Sequence, residues 1–256
     1  RGAASKVGEK PMKIALEGNI AAGKSTLLKL LEDEVDFVAV QEPLAKWTAV
    51  SGTGEKTCGG NLLDLFYKDP KRWGYTFQTY AFLSRMSAQM APLDQHIAQG
   101  HTSRKHAQSS DGSSVVFFER SVFSDRHVFA ENCAETGLFN DVEWGIYQDW
   151  HTWLLGAFEG LRLDGIIYLR TEPGTCLERL KKRARSEEVG IPLNYLEQIH
   201  SRHERWLKDR PGDLCEAEIL KGTPILILDV NDNYVDDPAK VEAVKKKIRE
   251  FLSKPK

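Results

Sequence analysis

Residues 16–31 read LEGNIAAGKSTLLKLL, and this stretch decides the fold. A short apolar segment, MKIALE, leads into it and stops at Gly18. An apolar run bounded by glycine reads as a buried strand. Beyond the loop, Leu27, Leu28, Leu30 and Leu31 recur at helical spacing and predict a helix over residues 24–34. Between them, Gly18, Asn19, Ile20, Ala21, Ala22, Gly23, Lys24 and Ser25 match G-x-x-x-x-G-K-[ST], with Thr26 next in the chain. The two glycines let the backbone turn so that several N–H groups converge on one anion. The N-terminus of the following helix adds its own unpaired N–H groups and its dipole. Lys24 bridges terminal phosphates, and the Ser25 hydroxyl is an oxygen ligand for Mg2+. A plain strand–helix turn with an exposed lysine is the alternative, and the complete motif between a strand and a helix argues against it.

The rest of the chain repeats the alternation. Four more apolar segments, DFVAVQEP, SVVFFER, DGIIYLR and TPILILDV, read as strands. Helical patterns fill residues 61–67, 72–99, 124–133, 141–158, 175–186, 192–209 and 238–252, with Pro92 expected to kink the second of these. Five apolar strands separated by helices imply a parallel sheet covered on both faces, an α/β fold. There is no repeat and no linker, so residues 1–256 read as one domain. Residues 1–11 are expected to be flexible. The serine-rich, aperiodic run QGHTSRKHAQSSDGSS is expected to form a mobile loop over residues 99–114.

Composition narrows the function class. Apolar residues make up 41% and charged residues 28% of the 256, which is a folded chain and not a disordered one. A net charge of −2 provides no overall field toward nucleic acid or lipid, so neither is expected as a partner. No apolar run approaches the roughly 20 residues that span a bilayer. Cys58, Cys133, Cys176 and Cys215 are scattered without CxxC spacing and are expected as reduced thiols in a cytoplasmic or nuclear protein. A mitochondrial location holds if a transit peptide has been removed.

Charged residues gather at predicted strand ends, where ligands of open α/β sheets bind. Glu17 ends the first strand, Glu42 follows FVAVQ and precedes Pro43, Glu119 ends VVFFE with Arg120 next, and Arg170 ends the fourth strand. A carboxylate facing a hydroxyl beside a triphosphate is what phosphoryl transfer to an alcohol needs as a base. Arg179, Arg183 and Arg185 lie in RLKKRARSEE, which reads as a solvated face in isolation and as a lid over phosphates beside a phosphate loop. His200 and His203, three apart with no carboxylate partner, are expected on the surface rather than on a metal, and His151 at a helix face against a second subunit.

Taken together, LEGNIAAGKST, EPLAKW, RWGYTFQTYAFLSR, FFERSVFSDRHVF, IYQDWHTWL, RARSEEVGIPLNYLEQIHSRHERWL and ILILDVND resemble the deoxynucleoside kinase family over nearly the whole length. The resemblance implies a P-loop kinase fold with an arginine lid, a nucleoside triphosphate donor (ATP or UTP), Mg2+, a deoxyribonucleoside acceptor and a homodimer built on two long helices. It implies Glu42 as general base, Arg120 as the cation touching that carboxylate and the phosphates, and Glu119 with Ser25 at the metal. Gln78, Asp125 and Arg85 would read the base edge, Phe77 would stack on it, and Trp47 and Phe129 would wall it. Tyr67 and Glu188 would grip the sugar 3′-hydroxyl. Arg179, Arg183 and Arg185 would be lid arginines, and Asp232 and Tyr234 would belong to the loop around the donor base.

Arg85 with Asp125 is similar to the branch that takes deoxycytidine and deoxyguanosine, and Ala81 favours deoxycytidine, with deoxyadenosine and deoxyguanosine also accepted. Deoxyguanosine as main substrate is the alternative. Phe123, Lys46 and Tyr234 depart from the family pattern, the last with consequences for donor preference. Two further readings compete: a nucleoside monophosphate kinase, which would need extra cations for an acceptor phosphate, and a nucleotide-gated binding module without catalysis.

Overall fold

A computed structural model describes residues 11–50, 60–91, 95–96, 115–185, 188, 190–209, 220 and 222–253. The expected flexible residues 1–10, the loop 99–114, Cys58 and Cys215 lie outside the described residues. Five strands, β1 (Met12–Gly18), β2 (Phe37–Val40), β3 (Val115–Glu119), β4 (Gly165–Arg170) and β5 (Ile225–Asp229), form one sheet in the order β2-β3-β1-β4-β5. All four pairings are parallel. β1 is central, and its carboxyl end lies where the chain's crossings switch from the β2–β3 side to the β4–β5 side. That is the position at which open α/β sheets bind ligands.

Alternation along the strands builds two cores. Ala15, Val116, Phe118, Ile166 and Tyr168 point to one face, where they meet Trp47, Phe66, Phe77, Phe82 and Phe123. Ile14, Leu16, Phe117, Ile167 and Leu169 point to the other, against Leu27, Leu31, Leu180, Leu196 and Ile248. Period-2 side-chain direction puts neighbours in a strand on opposite faces, so a continuous apolar run feeds both cores. Each buried Val, Leu, Ile or Phe side chain among them contributes about 1.5–3 kcal/mol by leaving water.

The helices are α1 (Lys24–Leu31), α2 (Leu44–Thr48), α3 (Leu62–Lys68), α4 (Pro70–Met90), α5 (Val122–Ser124), α6 (Glu131–Glu135), α7 (Asp141–Ala157), α8 (Pro173–Arg183), α9 (Leu193–His203) and α10 (Pro238–Leu252). A π-helical turn, Asp125–Ala130, joins α5 to α6, and another, Glu204–Asp209, extends α9. Side-chain caps fix several starts: Asn61 accepts from Asp64 N at 2.9 Å and Asn140 from Glu143 N at 2.9 Å.

Four expectations change. The second long helix ends at Met90, and the expected kink at Pro92 lies outside the described residues. Ala91 is extended (φ −64°, ψ 145°), as a residue before proline prefers. The first helix stops at Leu31, and the short α2 was not foreseen. His203 is fully buried instead of on the surface. It stacks on Tyr168 at 5.6 Å, with its Nδ1 2.8 Å from Ile199 O, and burial holds its ring well below the usual histidine range. His151 is also fully buried, with Nε2 2.8 Å from Val122 O, so it faces its own core and not a subunit surface. Cys133 and Cys176 are buried free thiols, as expected.

Candidate active site

The phosphate loop is shaped by positive φ at three positions: Gly18 (145°), Ala21 (60°) and Gly23 (104°). Gly18 is also a steric requirement, because a Cβ there would stand 2.7 Å from Leu169 O. Asn19 is not aimed at a ligand: its Nδ2 donates to Leu196 O at 2.9 Å and its Oδ1 accepts from Ile20 N at 2.8 Å, pinning the loop to α9. Lys24 is buried, and its Nζ donates to Asn19 O at 3.2 Å. Burial and Arg120 push its ammonium down to about 8, while Glu119, Glu42 and Glu17 pull it back. Ser25 Oγ lies 3.5 Å from Glu119 Oε1.

Next to this loop the carboxyl ends of β2 and β3 carry the charges. Arg120, left-handed at φ 64°, puts its Nε 3.0 Å from Glu42 Oε1 and donates through NH1 to Gly18 O at 2.7 Å. Arg85 reaches up from α4: NH2 donates to Glu42 Oε1 at 3.0 Å, Nε to Asp125 at 2.9 Å, and NH1 to Glu119 O at 2.9 Å. Burial pushes the Glu42 carboxyl up, but Arg120, Arg85 and Lys24 outweigh it and hold it at about 2. Glu42 is therefore an anion throughout the neutral range. Burial also lifts Asp125 above the usual aspartate value, with Arg85 opposing the lift.

A cavity opens over Glu42 and runs down α4. Phe77, Ala81 and Arg85 follow one another at intervals of four along α4, and Gln78 stands next to Phe77, so neighbouring positions of one helix supply both ring and polar edge. Trp47 stands edge-on to Phe77 at 5.6 Å and donates Nε1 to Ser84 Oγ at 2.8 Å. Phe129 lies under the Arg120 guanidinium at 4.7 Å. Gln78 Nε2 donates to Cys133 Sγ at 3.8 Å. Tyr67 and Glu188 share the opposite wall. Burial, with the Glu188 carboxylate beside it, pushes the Tyr67 phenol up, so its hydroxyl stays a neutral donor. Arg183 pairs with Glu188, and Arg185 stands 3.6 Å from it. The structure thus brings Trp47, Tyr67, Phe77, Gln78, Arg85, Asp125, Phe129 and Glu188 into one cavity.

A second cavity lies on the far side of the loop, walled by Thr26, Arg179, Asn233 and Tyr234 among others. Both cavities share Ala21, Lys24, Ser25, Glu119, Arg183 and Arg185. Arg179 does not hang free over them. It donates to Ala22 O at 3.3 Å, Val230 O at 2.7 Å and Asp232 O at 3.3 Å, tying the phosphate loop to the loop after β5. Asp232 itself lines neither cavity: its carbonyl takes the Arg179 bond and its carboxylate pairs with Lys240 at 2.6 Å. Among the wall residues that went unread in the sequence are Phe66, stacked on Phe77 at 4.8 Å, Leu63 and Tyr195. Tyr195 sits three residues after the helix-starting Pro192, which was the available signal.

The deoxynucleoside kinase family model matches residues 14–253. This chain belongs to the deoxynucleoside kinase family. It is 49% identical to deoxycytidine kinase 2 of Gallus gallus over 252 residues, covering 94% of this chain and 90% of that protein. Against deoxycytidine kinase of Homo sapiens it is 45% identical, with 98% and 94% covered. Against the mitochondrial deoxyguanosine kinase of Xenopus laevis it is 39% identical, with 94% and 89% covered. As a deoxynucleoside kinase it transfers a phosphoryl group from a nucleotide donor to the 5′-hydroxyl of a deoxynucleoside. No helix among the described residues is long and apolar enough to cross a membrane.

Proposed function

We propose that this deoxynucleoside kinase takes deoxycytidine first, accepts deoxyadenosine and deoxyguanosine, and uses ATP or UTP with Mg2+. One observation carries the reading: two cavities meet at Lys24, Ser25, Glu119, Arg183 and Arg185, with an ionised Glu42 on one side of the junction only. A triphosphate in the phosphate loop reaches that junction from the far cavity. A nucleoside lying along α4 reaches it from the near one, with its 5′-hydroxyl at Glu42.

The roles follow from chemistry. Gln78 offers a donor and an acceptor in one amide plane to a base edge, and Asp125 with Arg85 completes that edge. Phe77 stacks on the base, worth about 1–3 kcal/mol, between Trp47 and Phe129. Tyr67 donates to, and Glu188 accepts from, the 3′-hydroxyl. Glu42 accepts the 5′-hydroxyl proton. It is a weak base while Arg120 and Lys24 serve it alone; phosphates draw those cations away and raise its basicity. Lys24, the loop N–H groups, Arg120 and the lid arginines Arg183 and Arg185 spread over the charge of the transferring phosphate.

Ser25 and Glu119 suit Mg2+: both present hard oxygens beside the phosphate loop. Among the described residues no group of three or more His, Cys, Asp or Glu stands ready for a metal. Two protein oxygens, with the rest from phosphate and water, is the habit of this ion. When bound, it neutralises phosphate charge.

A homodimer is part of the proposal. Val142, Ile146, Trp150 and Trp153 lie exposed at helical spacing along α7, and Trp153 is 62% exposed. A stripe of that size fits burial against a second copy.

The test is kcat/KM for deoxycytidine, deoxyguanosine, deoxyadenosine and thymidine, each with ATP and with UTP. Deoxycytidine should lead. Thymidine in front, or transfer to dCMP without transfer to deoxycytidine, would contradict the reading.

A further inference from the structure

Three consecutive residues of β1 hold Arg120 and its neighbour Ser121 from one side. Leu16 O accepts from Arg120 N at 3.0 Å, and Gly18 O accepts from Arg120 NH1 at 2.7 Å. Between them, Glu17 Oε1 accepts from the Ser121 hydroxyl at 2.6 Å. Ser121 is also the N-cap of α5, in a reciprocal capping box with Ser124. Arg120 needs such a grip, since a non-glycine residue at φ 64° is strained and stays there only when its surroundings dictate it.

Glu17 itself is fully buried, and its Oε2 has no hydrogen-bond partner. One hydroxyl is poor compensation for a buried carboxylate and adequate for a neutral acid. We propose that Glu17 is a positioning residue for phosphoryl transfer, working as a neutral acid: through Ser121 it holds the β3–α5 turn that aims Arg120 at Glu42. This rests on Arg120 acting at Glu42 and the phosphates.

The surroundings agree. Burial pushes the Glu17 carboxyl up to about 7, against the pull of the Ser121 hydroxyl, Arg120, Ser124 and Arg85. Lys24 of α1 faces it as well, and Tyr168 of β4 is its neighbour in the sheet. A neutral Glu17 also suits the loop above it, because a buried anion beneath a bound triphosphate would repel it. The sign follows directly. Below about pH 7 the group is neutral and donor binding is at its best; as pH rises through 7 it ionises and donor KM climbs.

The test compares Glu17→Gln with Glu17→Ala in the full chain. The amide oxygen introduced by Glu17→Gln keeps an acceptor for Ser121, so kcat should stay within about threefold of wild type and the climb of donor KM through pH 7 should vanish. Alanine leaves a buried hydroxyl without its acceptor, a loss of about ten- to hundredfold in kcat with deoxycytidine KM nearly unchanged. If Glu17→Ala does not fold, Ser121→Ala removes the same bond from the other side and should show the same loss. Infrared difference spectra should show a protonated-acid carbonyl stretch at pH 6 that is missing in Glu17→Gln. The proposal is overturned if Glu17→Gln is as damaging as the alanine variant, if the alanine variants keep wild-type kcat, or if Glu17→Gln keeps the wild-type rise through pH 7. An Arg120→Ala enzyme with wild-type kcat would instead sink the reading of Arg120.

Discussion

Arg85 and Asp125 face each other at 2.9 Å, both buried, and the same guanidinium reaches Glu42 at 3.0 Å. The group proposed to read the base is thus wired to the carboxylate proposed to activate the sugar hydroxyl. Removing one partner leaves the other buried and uncompensated. Asp125→Ala should cost about 3–5 kcal/mol of stability. Arg85→Leu combined with Asp125→Ala should cost less than Asp125→Ala alone. Urea unfolding of wild type, both single variants and the double closes the cycle; additive losses would show that the pair is not an energetic unit.

Tyr67 provides a neutral hydroxyl opposite Glu188. Tyr67→Phe should raise KM for deoxycytidine by about two- to tenfold, the worth of one hydrogen bond. It should not affect 2′,3′-dideoxycytidine, which lacks the 3′-hydroxyl. Equal effects on both substrates would place Tyr67 elsewhere in the mechanism.

The two loop glycines differ in kind. Gly18 has φ 145° and a carbonyl 2.7 Å from any added Cβ, whereas Gly23 has φ 104° and nothing within 4 Å. Gly18→Ala should therefore lower Tm and abolish donor binding together. Gly23→Ala should carry backbone strain alone, about 1–2 kcal/mol. Thermal unfolding with and without ATP distinguishes them, and a Gly18 variant as stable as the Gly23 variant would contradict the packing argument.

The exposed tryptophans of α7 set the oligomer prediction. Trp150→Glu with Trp153→Glu should convert a dimer to a monomer in sedimentation while leaving the far-ultraviolet spectrum unchanged. A wild-type monomer, or a double variant that still dimerises, would remove α7 from the interface.

Much of the site was legible because its signals are local. The phosphate loop lies within eight consecutive residues, and Glu42 and Glu119 sit where apolar runs stop at Pro43 and Arg120. Gln78 and Arg85 came from the resemblance carried by RWGYTFQTYAFLSR, since helical spacing alone reads that stretch as a core helix. What stayed hidden depends on contacts between distant segments. Arg179 turns to carbonyls of the loop after β5, more than fifty positions away. Phe66 and Tyr195 become cavity walls only when α3 and α9 converge. His203 was expected on the surface and His151 against a second subunit, yet backbone carbonyls of Ile199 and Val122 hold them in the core. Glu17 was noted as a strand-end acid, but its burial is set by β3 and β4 on either side of it.

The central claim is that Glu42, held as an anion by Arg120, Arg85 and Lys24, takes the proton of the sugar hydroxyl. Single-turnover kinetics of Glu42→Gln, with deoxycytidine affinity measured in parallel, tests it most directly. The rate should fall about 10²–10⁴-fold with affinity changed only a few-fold. A rate within threefold of wild type would contradict it.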